Sequence, residues 1–302
     1  MILSVSRRTD IPNYYSEWFL NRIKEGFLYV RNPFNLHQIS KIDITPNIVD
    51  CIVFWTKNPK PMMNRLDELN DYKYYFQFTL TGYGKDMEPN LPRKRNQMIP
   101  IFQELSGRIG KEKVIWRYDP IIITDKYTIA YHTKAFTEIA EKLNGYTDTV
   151  IISFVDSYAK TKKSMEEIKN ISIETIDIKE IASKLAKIAK ENNMQIETCA
   201  EKIDLSAYGI EHSSCIDKKL VEKIIGCNIK VDKDKNQRAD CGCVESVEVG
   251  SYNTCKNGCK YCYANYSYEK VKASCELYDV TSPILCGKIG EKDSITERKI
   301  NR

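Results

Sequence analysis

Val49-Asp50-Cys51-Ile52-Val53-Phe54-Trp55, followed directly by Thr56-Lys57-Asn58-Pro59, decides how this chain is to be read. Residues 51–55 are apolar without a polar alternation, the pattern of a strand covered on both faces of a parallel sheet. The run then gives way to polar residues and a proline, which cannot donate to a ladder. Similar runs occupy residues 2–5, 74–80, 114–118, 149–155, 195–199 and 244–249. Between them, apolar residues recur every three or four positions over 14–24, 62–69, 93–108, 127–143 and 176–191, which predicts helices. Gly26 is placed to cap the first of these.

Strand alternating with helix predicts an α/β fold with a parallel sheet and right-handed crossovers, either an open doubly wound sheet or a barrel. No Gly-rich turn of the dinucleotide or P-loop type follows any strand, which disfavours the nucleotide folds. The reading adopted is a TIM-like (β/α) barrel, complete or incomplete, and a length of 302 residues suits it. Residues 1–203 would carry the βα repeats. Residues 204–302 would form a Cys-rich region that contributes the last strand, with no clear linker before Asp204.

Ligands of parallel α/β folds sit beyond the carboxyl ends of the strands. Those ends carry Ser6, Arg7, Arg8, Thr9 and Asp10, then Thr56, Lys57 and Asn58, then Thr79 and Thr81. Arg117 and Asp119, Ser153 and Asp156, and Glu197 and Glu201 follow. Taken singly, each is explained as a helix cap, a turn former or a structural ion pair. Taken together they suggest a site, with Arg7, Asp10, Lys57, Arg117, Asp119 and Glu201 as catalytic candidates. Arg7, Arg8 and Lys57 suit an anionic ligand such as a carboxylate or phosphate.

Composition is that of a soluble globular protein, 42% hydrophobic and 29% charged, with a net charge of +5. No apolar run is long enough to span a membrane and no signal peptide precedes Met1, so a cytoplasmic location is expected. In that reducing compartment, 11 cysteines point away from disulfides and towards metal. Cys51 is the only one before Cys199.

Two cysteine groups stand out. Cys255, Cys259 and Cys262 are spaced C-x3-C-x2-C, and three thiolates at this spacing can hold three irons of a 4Fe–4S cube and leave one open. A zinc site or a ferredoxin cluster would need a fourth ligand, for which Cys275 and Cys286 are at hand. Cys199, Cys215, Cys241 and Cys243 form the second group, able to complete another 4Fe–4S cluster or a structural zinc site. The C-x-C pair tilts towards iron, and the plain alternative is a set of buried thiols. The histidines, His37, His132 and His212, share no motif, so hydrolytic triads are unsupported. The stretch 218–238 is basic, and nucleic-acid contact there is weighed against an ordinary solvated surface.

The triplet, with Tyr261 just before its last cysteine, resembles the cluster loop of radical S-adenosylmethionine (SAM) enzymes. A strand at 244–249, a cysteine loop and then a helix from Tyr263 onward is their arrangement. The whole chain resembles the bacterial domain of unknown function 1848 family. That family shares Ser4 through Pro12, Phe54 through Pro59, Arg117-Tyr118-Asp119-Pro120, Cys199-Ala200-Glu201, and Asn253-Thr254-Cys255 through Tyr263-Ala264-Asn265. The resemblance to radical SAM enzymes implies reductive cleavage of SAM to methionine and a 5′-deoxyadenosyl radical, with Tyr261 near the adenine. It also implies an electron donor such as a flavodoxin or ferredoxin.

Those enzymes carry the loop after the first barrel strand, whereas here it follows the last one. A circular permutation would account for this, with the 244–249 strand beside the 2–5 strand. Cys255, Cys259 and Cys262 would then converge on the rim holding Arg7, Lys57 and Arg117. A weak similarity to spore photoproduct lyase-like proteins hints at a nucleic-acid substrate. The alternative function is a non-catalytic binding module for nucleic acid or protein, stabilised by zinc or an iron–sulfur cluster.

Overall fold

The computed structural model describes residues 1–155, 166–168, 175–238 and 241–299. Asp156, expected at the end of the fifth strand, lies outside them. The strands in chain order are β1 (Ile2–Val5), β2 (Phe27–Arg31), β3 (Gln38–Asp43), β4 (Cys51–Thr56), β5 (Tyr74–Thr79) and β6 (Val114–Ile121). They continue as β7 (Thr149–Phe154), β8 (Gln195–Cys199), β9 (Glu211–Ser213), β10 (Val247–Glu248) and β11 (Ser294–Glu297). The helices are α1 (Ile11–Tyr14), α2 (Ser16–Glu25), α3 (Lys60–Met63), α4 (Ile99–Ile109), α5 (Ile129–Leu143), α6 (Thr175–Glu191), α7 (Lys218–Ile225) and α8 (Tyr268–Glu276).

Eight strands make one parallel sheet in the order β10-β1-β4-β5-β6-β7-β8-β9. The chain's last sheet strand therefore lies beside its first, with Leu3 opposite Val247 and Ser4 opposite Glu248. This is the neighbour relation expected for a permuted chain. The ladder does not close, because among the described residues no strand pairing joins β9 to β10. Only the segments next to those strands meet, where the Val244 N–H donates to the Ile216 carbonyl at 3.1 Å.

Side chains alternate across each strand, and both faces are buried. On one face Leu3, Val5, Phe54, Phe76, Trp116 and Ile152 pack with Phe19, Phe102, Phe136 and Leu185 from the helices. On the other, Ile2, Val53, Tyr75, Ile115, Ile151 and Cys199 meet Cys215, Ile216, Val221, Cys241, Cys243 and Val244. Each large apolar side chain so buried contributes about 1.5–3 kcal/mol, and the polar residues buried on the second face, Ser4, Gln77 and Arg117, are hydrogen-bonded. The second face is thus covered by the irregular chain between β9 and β10 and by α7.

Helix α2 ends at Gly26 in the left-handed conformation (φ 77°), its N–H donating to Arg22 and Ile23, as its sequence position suggests. The helix expected over 62–69 is α3 followed by a 3-10 turn at Leu66–Leu69, and that over 93–108 is a π turn at Lys94–Met98 leading into α4. A second sheet, β11-β3-β2, was not anticipated. Within it β11 pairs with β3 in parallel and β2 with β3 antiparallel, and the Tyr29 N–H donates to the Pro283 carbonyl (2.8 Å).

Candidate functional site

The loop leaving β10 is fixed from several sides before it reaches its cysteines. Gly250 packs so tightly on the end of β1 that a Cβ there would lie 1.8 Å from Ser6 Oγ. The Thr254 carbonyl accepts the Tyr15 hydroxyl at 2.6 Å. Asn257 donates to Asp10 Oδ2 at 3.0 Å, and its own oxygen accepts from Tyr14 (3.0 Å) and Asn13 (3.2 Å). The Lys260 N–H donates to the Met87 carbonyl, Asn90 to the Lys256 carbonyl, and the Cys262 N–H to the Cys259 carbonyl at 3.1 Å.

Asp10 is the hub of this anchorage. It is buried and accepts from Thr56 Oγ1 (2.7 Å), the Lys57 N–H (2.8 Å), Asn257 and the Asn13 N–H (3.2 Å). Burial pushes its carboxyl upward, opposed by those donors. The residue joins the ends of β1 and β4 to the cysteine loop.

The three thiols share one electrostatic neighbourhood, Cys255 feeling both Cys262 and Cys259, and Cys259 feeling Cys262. Burial raises all three, Cys259 to about 12 even though Lys57 and Lys94 face it. Lys57 Nζ donates to Glu88 Oε1 (2.7 Å) and to the Tyr261 hydroxyl (2.9 Å). Glu88 also accepts Lys94 Nζ, the Tyr261 hydroxyl and Thr81 Oγ1 (3.1 Å), and its side chain has no exposure. Burial opposes its charge, but the Lys57 and Lys94 ammoniums outweigh that and hold it below the usual carboxylate range. The Tyr261 ring lies 5.7 Å from that of Tyr83 and within a small apolar cluster, so much of its contact is with protein. Glu88 was not anticipated from the sequence. It sits in the long loop after β5, where the strand-end argument applied but was carried only as far as Thr81.

The second cysteine group is brought together on the covered face of the sheet. Cys199 interacts with Cys215, Cys215 with Cys243, and Cys243 with Cys241. Hydrogen bonds with Cys199 and Cys243, and the Arg117 guanidinium, hold the Cys215 thiol well below its ordinary value. Arg117 donates to Cys215 Sγ at 2.9 Å, to Gln77 Oε1 at 3.3 Å and to Asp119 Oδ2 at 3.0 Å. Two guanidiniums lie over the Trp55 ring, Arg7 at 5.7 Å and Arg117 at 5.3 Å. Arg7 is paired with Glu248 (3.7 Å) and Asp234 (3.9 Å) and donates to Ser246 Oγ at 2.8 Å.

This corrects the expected convergence. Asp10 and Lys57 meet the triplet, whereas the side chains of Arg7 and Arg117 turn to the four-cysteine group, because Cys215 and Cys243 fold back over the inner ends of β5 and β6. Asp119 stands between the two, felt by Lys57 and by Cys199, and accepts the Ser153 hydroxyl. Glu201 accepts the Phe154 N–H at 2.7 Å, and burial pushes its carboxyl up to about 7. Arg8 lies over Tyr252 at 4.8 Å. Cys275 and Cys286 gather around the Tyr15 hydroxyl beneath Thr254. Among the described residues no three thiol, imidazole or carboxylate groups surround a common point as they stand.

A parallel eight-stranded α/β sheet with a cysteine loop at its carboxyl rim defines the class of protein. The chain belongs to the family described as Domain of unknown function (DUF1848), which it matches over residues 2–264. No curated protein matches it. Among solved structures, a Bacteroides thetaiotaomicron protein provisionally assigned as an alpha-L-fucosidase is 12% identical, with 70% of this chain and 78% of that one covered. Its TM-score of 0.28 is too low to carry an argument.

Proposed function

We propose that this protein is a radical-SAM-like enzyme that holds a 4Fe–4S cluster on Cys255, Cys259 and Cys262. One observation carries the reading: the strand before the triplet pairs with β1, so the loop opens at the carboxyl ends of the parallel strands. With the chain notionally re-cut before β10, the order β10-β1-β4-β5-β6-β7-β8 runs in sequence, as a permuted partial barrel with the cysteine loop after its first strand would require.

The donor set fits such a cluster. The three thiols interact with one another, and the Lys57 and Lys94 ammoniums facing Cys259, with Lys57 also facing Cys262, oppose the effect of burial and favour thiolate there. When bound, the cluster supplies the electron that cleaves SAM reductively and starts radical chemistry on the substrate. The chain's own residues hold and screen. Asp10 and Asn257 fix the loop to the ends of β1 and β4, while Glu88 pairs with both Lys57 and Lys94 and raises the pKa of Lys57. Arg7 and Glu201 follow β1 and β8, Arg117 and Asp119 lie in β6, and the electron donor would be a flavodoxin or ferredoxin.

Anaerobic reconstitution followed by incubation with SAM and dithionite should yield 5′-deoxyadenosine and methionine. The Cys259→Ala variant should lose this product. A reconstituted protein with its cluster intact but no 5′-deoxyadenosine would overturn the reading.

A further inference from the structure

Cys199, Cys215, Cys241 and Cys243 come from three separate stretches of chain: the end of β8, the segment after β9 and the segment before β10. Isolated buried thiols behave as small hydrophobes and have no reason to find one another. Here all four are buried in one cluster, and they interact in the run Cys199–Cys215–Cys243–Cys241. The sulfurs also attract N–H donors from outside the run. Arg117 Nη1 reaches Cys215 Sγ at 2.9 Å, and the Ile216 backbone N–H reaches Cys243 Sγ at 3.4 Å. Donors of this kind surround metal-bound thiolates and fix their orientation.

We propose that these four cysteines form an all-thiolate site for a soft metal centre, zinc or an iron–sulfur cluster, on the covered face of the sheet. An all-sulfur donor set selects such metals over hard cations. The four sulfurs follow one another in a run but do not surround a common point as they stand, so binding would draw Cys199 and Cys241 in around the other two. The centre would tie β8 and the segment after β9 to the segment before β10, where the strand ladder does not close among the described residues and the Val244 N–H to Ile216 carbonyl bond spans the gap. Its role is therefore structural, and it does not depend on whether the triplet carries a cluster.

The experiment starts from the full chain bearing Cys255→Ala, Cys259→Ala and Cys262→Ala, purified without oxygen from medium supplied with zinc and iron. About one zinc, or about four irons with matching sulfide, should remain per chain. Atomic absorption and sulfide analysis distinguish the two. Adding Cys215→Ser should remove that metal, whereas Cys51→Ser, on the same face but outside the run, should leave it. If Cys215→Ser does not fold, Cys241→Ser at the end of the run reads the same outcome. A triplet variant with wild-type circular dichroism but neither metal overturns the proposal, as does metal that persists without Cys215.

Discussion

His132 carries a pH dependence that can be worked out from its partners. It is fully buried in α5. Its Nε2 lies 3.0 Å from the Ile122 carbonyl, which can only accept, so that nitrogen carries the proton. Its Nδ1 then accepts the Tyr118 hydroxyl at 2.9 Å. Burial lowers its pKa, only partly offset by the bond to Ile122. Below the ordinary histidine value of about 6.5 the unfolded chain takes up a proton that the folded chain refuses. Stability should therefore fall as the pH drops from 7 to 5. In denaturant titrations His132→Gln should flatten this histidine contribution, while costing about 1–3 kcal/mol at pH 7 through the disturbed hydrogen bonds. An unchanged slope would contradict the assignment.

At the scale of the element, the junction of β10 with β1 depends on the absence of a side chain. A Cβ on Gly250 would lie 1.8 Å from Ser6 Oγ and 2.6 Å from Ser6 Cβ. Ser6 cannot swing away freely, because its Oγ accepts the Arg8 N–H at 2.9 Å. Gly250→Ala should push the ends of the two strands apart, at a cost of about 1–3 kcal/mol. Gly250 lies in the loop that leads from β10 to Cys255, so iron retention after anaerobic desalting should fall together with the melting temperature. Normal iron retention in a stable Gly250→Ala protein would separate the loop from this junction.

For the molecule as a whole, the two ends of the chain are one structural unit. Beyond β10, the Ser282 carbonyl accepts the Trp18 indole at 2.7 Å, and the Thr281 and Val280 carbonyls accept Arg22 (3.0 Å) and Asn21 (3.2 Å). The last strand, β11, pairs with β3. A fragment of residues 1–244 would expose β1 as an unpaired apolar edge and strip the partners from α2. It should be recovered aggregated, without a cooperative melt by circular dichroism. A soluble, cooperatively melting fragment would show that residues 1–244 fold without the C-terminal segment.

The sequence by itself determined the buried strands, because a strand covered on both faces has nothing to alternate with. Residues 2–5 and 195–199 are strands at those boundaries, and 49–55, 74–80, 114–118 and 149–155 overlap β4 to β7 with displaced ends. It also determined Gly26 as a cap and the grouping of the cysteines into two sets. β2, β3 and β11 were not legible; β3, for one, buries Ile39 and Ile42 three residues apart, a spacing that suits a helix and breaks the alternation of a strand. Only the tertiary structure decided which charges serve which cysteines. Strand-end position in the sequence gives height along the sheet, but not which neighbouring loop folds back over that end. The loop that carries Cys215 takes Arg117, and the loop after β5 brings Glu88 to Lys57. These pairings join residues 98 and 31 positions apart, and no local pattern of apolar and polar residues records contacts of that range.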